Sequence, residues 1–159
     1  MKRTLLAIVA AAGIGLALPA GAMDSGGHSS SAASHPAGLA AARARIYAHD
    51  YKDAIPILVA VLKKTPNDAD ALNLMGYSLR KTGKLQEALA YYDRALALKP
   101  HHLGANEYLG ELYVELGQFG KAKERLAVLE AACGSKCVET RELKIAIAKG
   151  ERRQQQSKR

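Results

Sequence analysis

The two cysteines of this chain, Cys133 and Cys137, are the residues whose type and spacing most directly suggest chemistry. They bracket a Gly-Ser-Lys in the stretch CGSKC. Such a pair can form a disulfide, a thiol-exchange site or part of a metal site. The C-x3-C spacing differs from the C-x-x-C of thioredoxin-like sites, and no C-x-x-C-H haem signature occurs. The spacing therefore favours a structural disulfide, with redox or intermolecular use, a metal site and free thiols as weaker alternatives.

No other set of residues suggests catalysis. The sequence has no glycine-rich phosphate loop and no HExxH motif. The five histidines do not form a ligand pattern, since His101 and His102 are adjacent and two others lie in or beside a Ser/Gly-rich segment. We therefore expect no catalytic residue, no metal and no cofactor.

The first 22 residues have the pattern of a secretory signal peptide. Lys2 and Arg3 precede an uncharged apolar run from Leu5 to Leu18, and Ala20-Gly21-Ala22 offers a cleavage site. The apolar run is shorter than the ~20 residues that a membrane-spanning helix needs. We expect residues 1–22 to be removed rather than retained as an anchor, and the mature chain to be periplasmic or secreted. In such an oxidising compartment, paired thiols usually form disulfides.

Two further segments are predicted to lie outside the folded domain. Residues 23–36 are rich in Ser and Gly and favour a flexible linker, while residues 150–159 favour a basic, disordered tail. The chain carries a net charge of +8. Its basic residues are interleaved with Glu and lack a stacking aromatic patch, so we expect no nucleic-acid partner. A weak contact of the basic tail with an anionic envelope surface is a better use of the charge.

Between these segments, several residue types recur every 34 residues. Pro66 and Pro100 are 34 residues apart, as are Gly83 and Gly117. The same interval separates three alanines, Ala54, Ala88 and Ala122. Each period contains two apolar stripes at helical spacing. In the middle unit Gly83 separates the two stripes and Pro100 ends the second, whereas the first unit has His49 in place of the glycine and the third lacks the final proline. The repeating unit is therefore a helical hairpin that buries its apolar face by stacking on its neighbours.

These residues resemble the tetratricopeptide repeat (TPR) family. The middle unit matches its pattern best, at positions Leu72, Met75, Gly76, Leu79, Ala88, Tyr92, Ala95 and Pro100. The resemblance implies an all-α solenoid of three helical hairpins, followed by an amphipathic capping helix. The predicted domain occupies residues 37–149, with units at about 35–68, 69–102 and 103–136 and the capping helix at 137–149.

The resemblance also implies a candidate binding surface, because in this family the first helix of each hairpin lines a concave groove. The outward positions of those helices map onto Arg43, Tyr47, Asn73, Tyr77, Arg80, Lys81, Glu107, Glu111 and Glu115. This set is basic and aromatic in the first two units and acidic in the third. We expect an acidic part of a peptide to meet the first two units and a basic part to meet the third. Alternatively, these residues are ordinary solvent-exposed positions on the helices and have no role in binding.

The repeat register places Cys133 and Cys137 in the turn between the last hairpin and the capping helix. We therefore predict a disulfide that fixes the cap. The expected function is a non-enzymatic protein–protein interaction module, an adaptor or scaffold of the cell envelope, that binds a protein or peptide partner in the groove. The alternative is an envelope assembly or maturation factor that uses the cysteine pair in thiol-disulfide exchange.

Overall fold

The computed structural model describes residues 30–158, and these residues form seven α-helices and no strand. The helices are α1 (Ser30–Tyr47), α2 (Tyr51–Lys64), α3 (Ala69–Lys81), α4 (Leu85–Leu98), α5 (Leu103–Glu115), α6 (Phe119–Cys133) and α7 (Val138–Gln156). They pair as three hairpins, α1–α2, α3–α4 and α5–α6, and α7 packs on α5 and α6. The predicted all-α solenoid of three hairpins and a capping helix is confirmed.

Local signals that recur with the repeat explain where the helices begin and turn. Asp68 and His102 precede α3 and α5, and each side chain accepts a hydrogen bond from the backbone N–H three residues later. Gly83 and Gly117 turn the second and third hairpins at φ +83° and +71°. His49 holds the corresponding turn of the first hairpin at φ 62°, a conformation that glycine adopts more easily.

Close packing at two glycines holds the helices together. A Cβ atom on Gly76 of α3 would lie 2.7 Å from the ring of Tyr92, which is fully buried on α4. A Cβ on Gly110 of α5 would lie 2.5 Å from Leu143 of α7. The absence of a side chain therefore allows α4 to approach α3, and α7 to approach α5. Apolar clusters fill the interfaces between helices from the first hairpin to α7.

The ends of the domain differ from the predicted boundaries. Helix α7 continues to Gln156, so most of the segment expected to be a disordered tail is helical. Gly150 is buried against Val114 and Phe119, and Glu151 forms a 2.7 Å ion pair with Lys123 of α6. These contacts extend the helix beyond the predicted end of the cap, at residue 149.

The first helix also begins earlier than expected. Helix α1 starts at Ser30, inside the predicted 23–36 linker, where the Ser/Gly composition gives way to Ala32 and Ala33. Alanine has the highest helix propensity, which favours this extension. Residues 23–29 and the predicted signal peptide at 1–22 lie outside the described residues. No helix within residues 30–158 combines the length and the apolar character needed to cross a membrane.

Candidate functional site

Helices α1, α3 and α5 share one face of the solenoid, and a pocket of about 360 Å³ opens on it. We call this the tyrosine pocket. Its lining consists of Arg43, Ile46, Tyr47, His49, Leu74, Tyr77 and Tyr108. Three of these seven residues, Arg43, Tyr47 and Tyr77, belong to the predicted groove set, and the structure brings them together.

The aromatic rings of the pocket are held in place by contacts with one another. The Tyr77 and Tyr108 ring centroids are 4.6 Å apart, and Tyr51 meets Tyr77 edge-on at 5.8 Å. Burial, and then the neighbouring Tyr51, raise the pKa of Tyr77 to about 12. Burial, and then Glu107, raise the pKa of Tyr108 to about 12. Both hydroxyls therefore stay protonated at neutral pH and can donate a hydrogen bond.

The exposure of Tyr47 distinguishes it from the other rings. Its side chain is the most exposed large apolar group among the described residues, at 81%. It stands at the mouth of the tyrosine pocket, close to the aliphatic side chains of Ile46 and Leu74. A large ring left in water beside an open apolar pocket is the arrangement that a binding partner can cover.

Arg80 does not face solvent, although the repeat register predicts it to be one of the outward-facing basic residues of the first two units. Its side chain is 3% exposed and forms ion pairs with Glu111 and with Glu115, the latter at 2.6 Å. The guanidinium also lies over the rings of Tyr77 and Tyr108, 5.5 and 5.9 Å from their centroids. Arg80 is therefore neutralised by two carboxylates across α3 and α5, and the three groups together keep one net negative charge.

The remaining cations of the groove set are accessible. Lys81 is exposed, with its amino nitrogen 5.4 Å from the centroid of the Tyr77 ring. Arg43 is about half-exposed and lies 3.9 Å from Asp70, which also contacts His102 at 2.9 Å. An exposed pair at that distance contributes little to stability, so Arg43 and Lys81 are the cations that can meet an acidic group.

The other two residues of the groove set are buried. Asn73 is 6% exposed, and its Oδ1 atom accepts no hydrogen bond within residues 30–158. Glu107 is 8% exposed, and burial raises the pKa of its carboxyl to about 8, with Glu111 as the next contributor. At neutral pH this carboxyl is therefore mostly protonated, whereas the sequence predicts Glu107 to be one of three acidic groups in the third unit of the groove.

The cysteine pair occupies the turn between α6 and α7, as the repeat register predicts. The Cα atoms of Cys133 and Cys137 are 5.9 Å apart, within the range that a disulfide requires. Gly134 makes the turn at φ +81°, and Thr140 Oγ1 lies 3.0 Å from the Cys137 sulfur. The sulfurs and a Glu139 oxygen lie within 4.8 Å of one another, the one cluster of metal-ligand type among the described residues.

Comparison with known protein families agrees with the repeat. Two models described as tetratricopeptide repeat match the chain, one over residues 39–102 and the other over residues 79–132. The chain belongs to the tetratricopeptide repeat family. The predicted resemblance is thereby confirmed over both hairpin junctions.

A curated protein and several solved structures are similar to this TPR chain. The peroxisomal targeting signal receptor of Candida glabrata is 37% identical over 81 residues, which are 50% of this chain and 14% of the receptor. The Yersinia enterocolitica type III secretion chaperone SycD, in complex with a peptide of the translocator YopD, has a TM-score of 0.64 at 15% identity and covers 80% of this chain and 96% of that chain. PcrH, in complex with the chaperone binding region of PopD, has a TM-score of 0.67 at 15% identity and covers 77% and 95%. These structural likenesses concern the TPR fold.

Four residues of the tyrosine pocket were missing from the predicted groove set: Ile46, His49, Leu74 and Tyr108. The TPR register contains the signal for two of them, since Leu74 and Tyr108 are 34 residues apart and hold equivalent positions on α3 and α5. His49 is placed in the pocket by the tight turn of the first hairpin. A search for equivalent apolar positions on the first helices, alongside the charged ones, would have found Leu74 and Tyr108.

Proposed function

We propose that this chain is a non-enzymatic protein–protein interaction module of the cell envelope. The face formed by α1, α3 and α5 binds a peptide segment of a partner protein, with an apolar side chain in the tyrosine pocket. The observation that carries the proposal is the open pocket of about 360 Å³, lined by three tyrosines and two aliphatic side chains. This volume is at the small end of ligand sites and suits one or two side chains.

The charges around the pocket specify the neighbouring residue of the peptide. Arg43 lines the pocket, and the amino group of Lys81 lies over the Tyr77 ring. Both cations are at least partly exposed, and Arg80 is already neutralised by two carboxylates. A carboxylate next to the apolar anchor would therefore pair with Arg43 or Lys81. The partner segment therefore carries an acidic residue beside its apolar anchor.

Two similar structures support a peptide as the ligand class. SycD was solved with a peptide of the translocator YopD, and PcrH with the chaperone binding region of PopD. The curated relative is named a peroxisomal targeting signal receptor, of which the matched region is 14%. The partner of the present chain is defined by the chemistry of its own pocket.

The test compares wild-type protein with Tyr47→Ala in recovery of partners from envelope extract. Tyr47 is 81% exposed, so its removal leaves the fold intact. The matched control is Leu98→Ala on α4, which removes a 43% exposed apolar side chain from a second helix of a hairpin. We expect recovery of the bound protein to fall about tenfold with Tyr47→Ala, equivalent to 1.4 kcal/mol, and to be unchanged with Leu98→Ala. Equal recovery by all three proteins contradicts the proposed site.

The envelope location rests on the predicted signal peptide at residues 1–22. Expression of the full chain in bacteria, followed by fractionation and N-terminal sequencing, tests it. We expect a mature protein in the periplasm or medium that starts near Met23. A cytoplasmic protein that retains Met1 would contradict this location.

We further propose that Cys133 and Cys137 form a disulfide in that compartment. The support is their Cα separation of 5.9 Å across one turn. Intact mass of the exported protein should be lower by two hydrogens than the mass after reduction. Two freely alkylated thiols in the untreated protein would contradict the disulfide.

Thiol-disulfide exchange is the alternative function, and one observation favours it. Cys137 precedes the first turn of α7, and the N-terminus of a helix is a common position for cysteines that act in exchange. Reduction of insulin by the protein, lost in Cys137→Ser, would support exchange. An insulin reduction rate equal to that without protein would favour the structural disulfide.

A further inference from the structure

We propose that Glu107 on α5, with Glu139 and Glu142 on α7, forms an acceptor site for one cationic side chain, Lys or Arg, of the bound peptide. We call these three residues the carboxylate site. The inference rests on the proposed function, since its ligand is a residue of the same peptide. The predicted acidic part of the groove consisted of Glu107, Glu111 and Glu115. The carboxylate site keeps Glu107 and replaces the other two with residues of α7.

Glu107 is a largely buried carboxyl group that forms no ion pair of its own among the described residues. The residue is 8% exposed, and no hydrogen bond or ion pair joins its carboxyl to another side chain within residues 37–158. Burial of such a group is unfavourable unless a donor or a cation satisfies it. An unsatisfied carboxyl on the surface that lines the groove is therefore ready to receive a donor from a ligand.

The groups that face Glu107 come from three helices, and most are negative. Glu111 lies on α5, Glu139 and Glu142 lie on α7, and Arg80 approaches from α3. Both terminal nitrogens of Arg80 are already engaged, since Nη2 donates to Glu111 and Nη1 to Glu115. The carboxylate site is therefore left with uncompensated negative charge, and burial together with these neighbours raises the pKa of Glu107 to about 8.

The spacing of the carboxylates favours an organic cation over a compact metal ion. Within residues 30–158, the one cluster whose ligand atoms lie within 4.8 Å of one another is Cys133, Cys137 and Glu139. Glu107 and Glu142 are not part of it. A metal ion requires several oxygens at about 2.0–2.6 Å, whereas an ammonium or guanidinium on a long flexible stem can reach one carboxyl and be attracted by two others.

The carboxylate site gives the peptide a direction. The tyrosine pocket lies at the α1–α3–α5 side of the face, and the carboxylate site lies where α5 meets α7. A peptide with its apolar anchor in the first site and a base in the second can lie along the groove in one orientation only. The two sites together therefore specify an apolar residue and a base at a constant separation.

Binding of the base is coupled to a proton. Glu107 is mostly protonated below about pH 8, and a bound cation favours its ionised form. The base therefore displaces a proton, and affinity rises with pH up to about 8 by no more than tenfold per unit. Above this pH, Glu107 is already ionised and affinity becomes constant.

The experiment selects random 12-residue peptides displayed on phage against the whole protein at neutral pH. Titration calorimetry on one selected peptide then compares wild type, Glu107→Gln and Glu130→Gln, from pH 6 to 9. Glu130 is an exposed glutamate of α6, so its variant is a control with the same change of charge. Each base of the peptide is also replaced by Met.

We expect selected peptides to carry a base at a constant distance from an apolar residue. Glu107→Gln and the Lys→Met peptide should each weaken binding about tenfold, with no further loss when they are combined. The rise of affinity from pH 6 to 8 should disappear in Glu107→Gln, while Glu130→Gln behaves as wild type. If Glu107→Gln unfolds in urea at much lower concentration than wild type, Glu142→Gln, an exposed member of the site, provides the comparison of affinity at a single pH, since it removes one carboxylate and leaves Glu107 in place.

The two proposals fail in different ways. Binders without an enriched base, or unchanged affinity in both Glu107→Gln and Glu142→Gln, overturn the carboxylate site and leave the tyrosine pocket in place. Absence of any binder, or binders unaffected by Tyr47→Ala, overturns the proposed function and this inference with it.

Discussion

Arg80 on α3 and Glu115 on α5 form an ion pair across two neighbouring hairpins, with 2.6 Å between Nη1 and Oε1. The second terminal nitrogen of Arg80 binds Glu111 on the same helix. The guanidinium is 3% exposed, so these bonds form largely out of water. The pair therefore connects the second and third hairpins, and Arg80 is more important for stability than for contact with a partner.

Replacement of Arg80 by Met should therefore lower the free energy of unfolding by about 3 kcal/mol, because two carboxylates lose their counter-ion. We place the value at the low end of the range for buried pairs, since Glu115 is 43% exposed. Urea unfolding at pH 7 measures the difference. The matched control is Lys81→Met, which removes the adjacent, exposed cation of α3 and should change stability by less than about 0.5 kcal/mol. Equal stability of the two variants would contradict a structural role for Arg80.

The repeat explains why the fold could be predicted and the charges of the site could not. Gly83, Gly117 and Pro100 mark helix ends locally, so a 34-residue period is enough to predict hairpins and their stacking. The contact between Arg80 and Glu115 depends on the offset between α3 and α5, which no local signal contains. The register identified both residues as outward-facing, although they satisfy each other.

The same limit applies to the end of the domain. The polar and basic composition of residues 150–159 favours disorder, but Gly150 and Glu151 find partners on α5 and α6. These contacts become visible only when α7 is packed. Tertiary packing therefore overrides the local preference of this segment.

A side chain at Gly110 should loosen α7. A Cβ at this position would lie 2.5 Å from Cδ2 of Leu143, a fully buried residue of α7. Gly110→Ala gains helix propensity but forces Leu143 to move, and we expect a net destabilisation of about 1–2 kcal/mol. The matched control is Gly120→Ala on α6, where nothing lies within 4 Å and stability should rise slightly. Thermal unfolding of the two variants measures both effects, and a stabilised Gly110→Ala would contradict the close approach of α5 and α7.

Glu107 should make the stability of the protein depend on pH. Its pKa is raised to about 8 in the folded state by burial and then by Glu111, whereas an unfolded glutamate has a pKa near 4.3. Between these values the folded protein holds the additional proton, so its stability falls as pH rises, by up to about 1.4 kcal/mol per unit. Above about pH 8 the penalty is complete.

Glu107→Gln removes this titration, and its unfolding free energy should exceed that of wild type by an amount that grows between pH 5 and 8 and is then constant. Urea unfolding of both proteins at unit pH intervals measures the difference. Glu130→Gln, an exposed change on α6, should keep the pH dependence of wild type. A constant difference between Glu107→Gln and wild type across this range would show that Glu107 titrates normally.

The cysteine pair should stabilise the attachment of α7 when it is oxidised. A disulfide that closes the short loop between Cys133 and Cys137 restricts the unfolded chain by about 2 kcal/mol on the chain-entropy estimate. Reduction should therefore lower the unfolding free energy of wild type by about this amount. The double variant Cys133→Ser/Cys137→Ser should have the lower stability in both conditions and should not respond to the reductant.

Hydrogen exchange should become faster in α7 on reduction, with little change in α3 and α4, because the loop joins α7 to α6 alone. If reduction changes neither the unfolding free energy nor the hydrogen exchange of α7, the disulfide does not stabilise the attachment of this helix. Thiol-disulfide exchange would then be the better explanation for the cysteine pair.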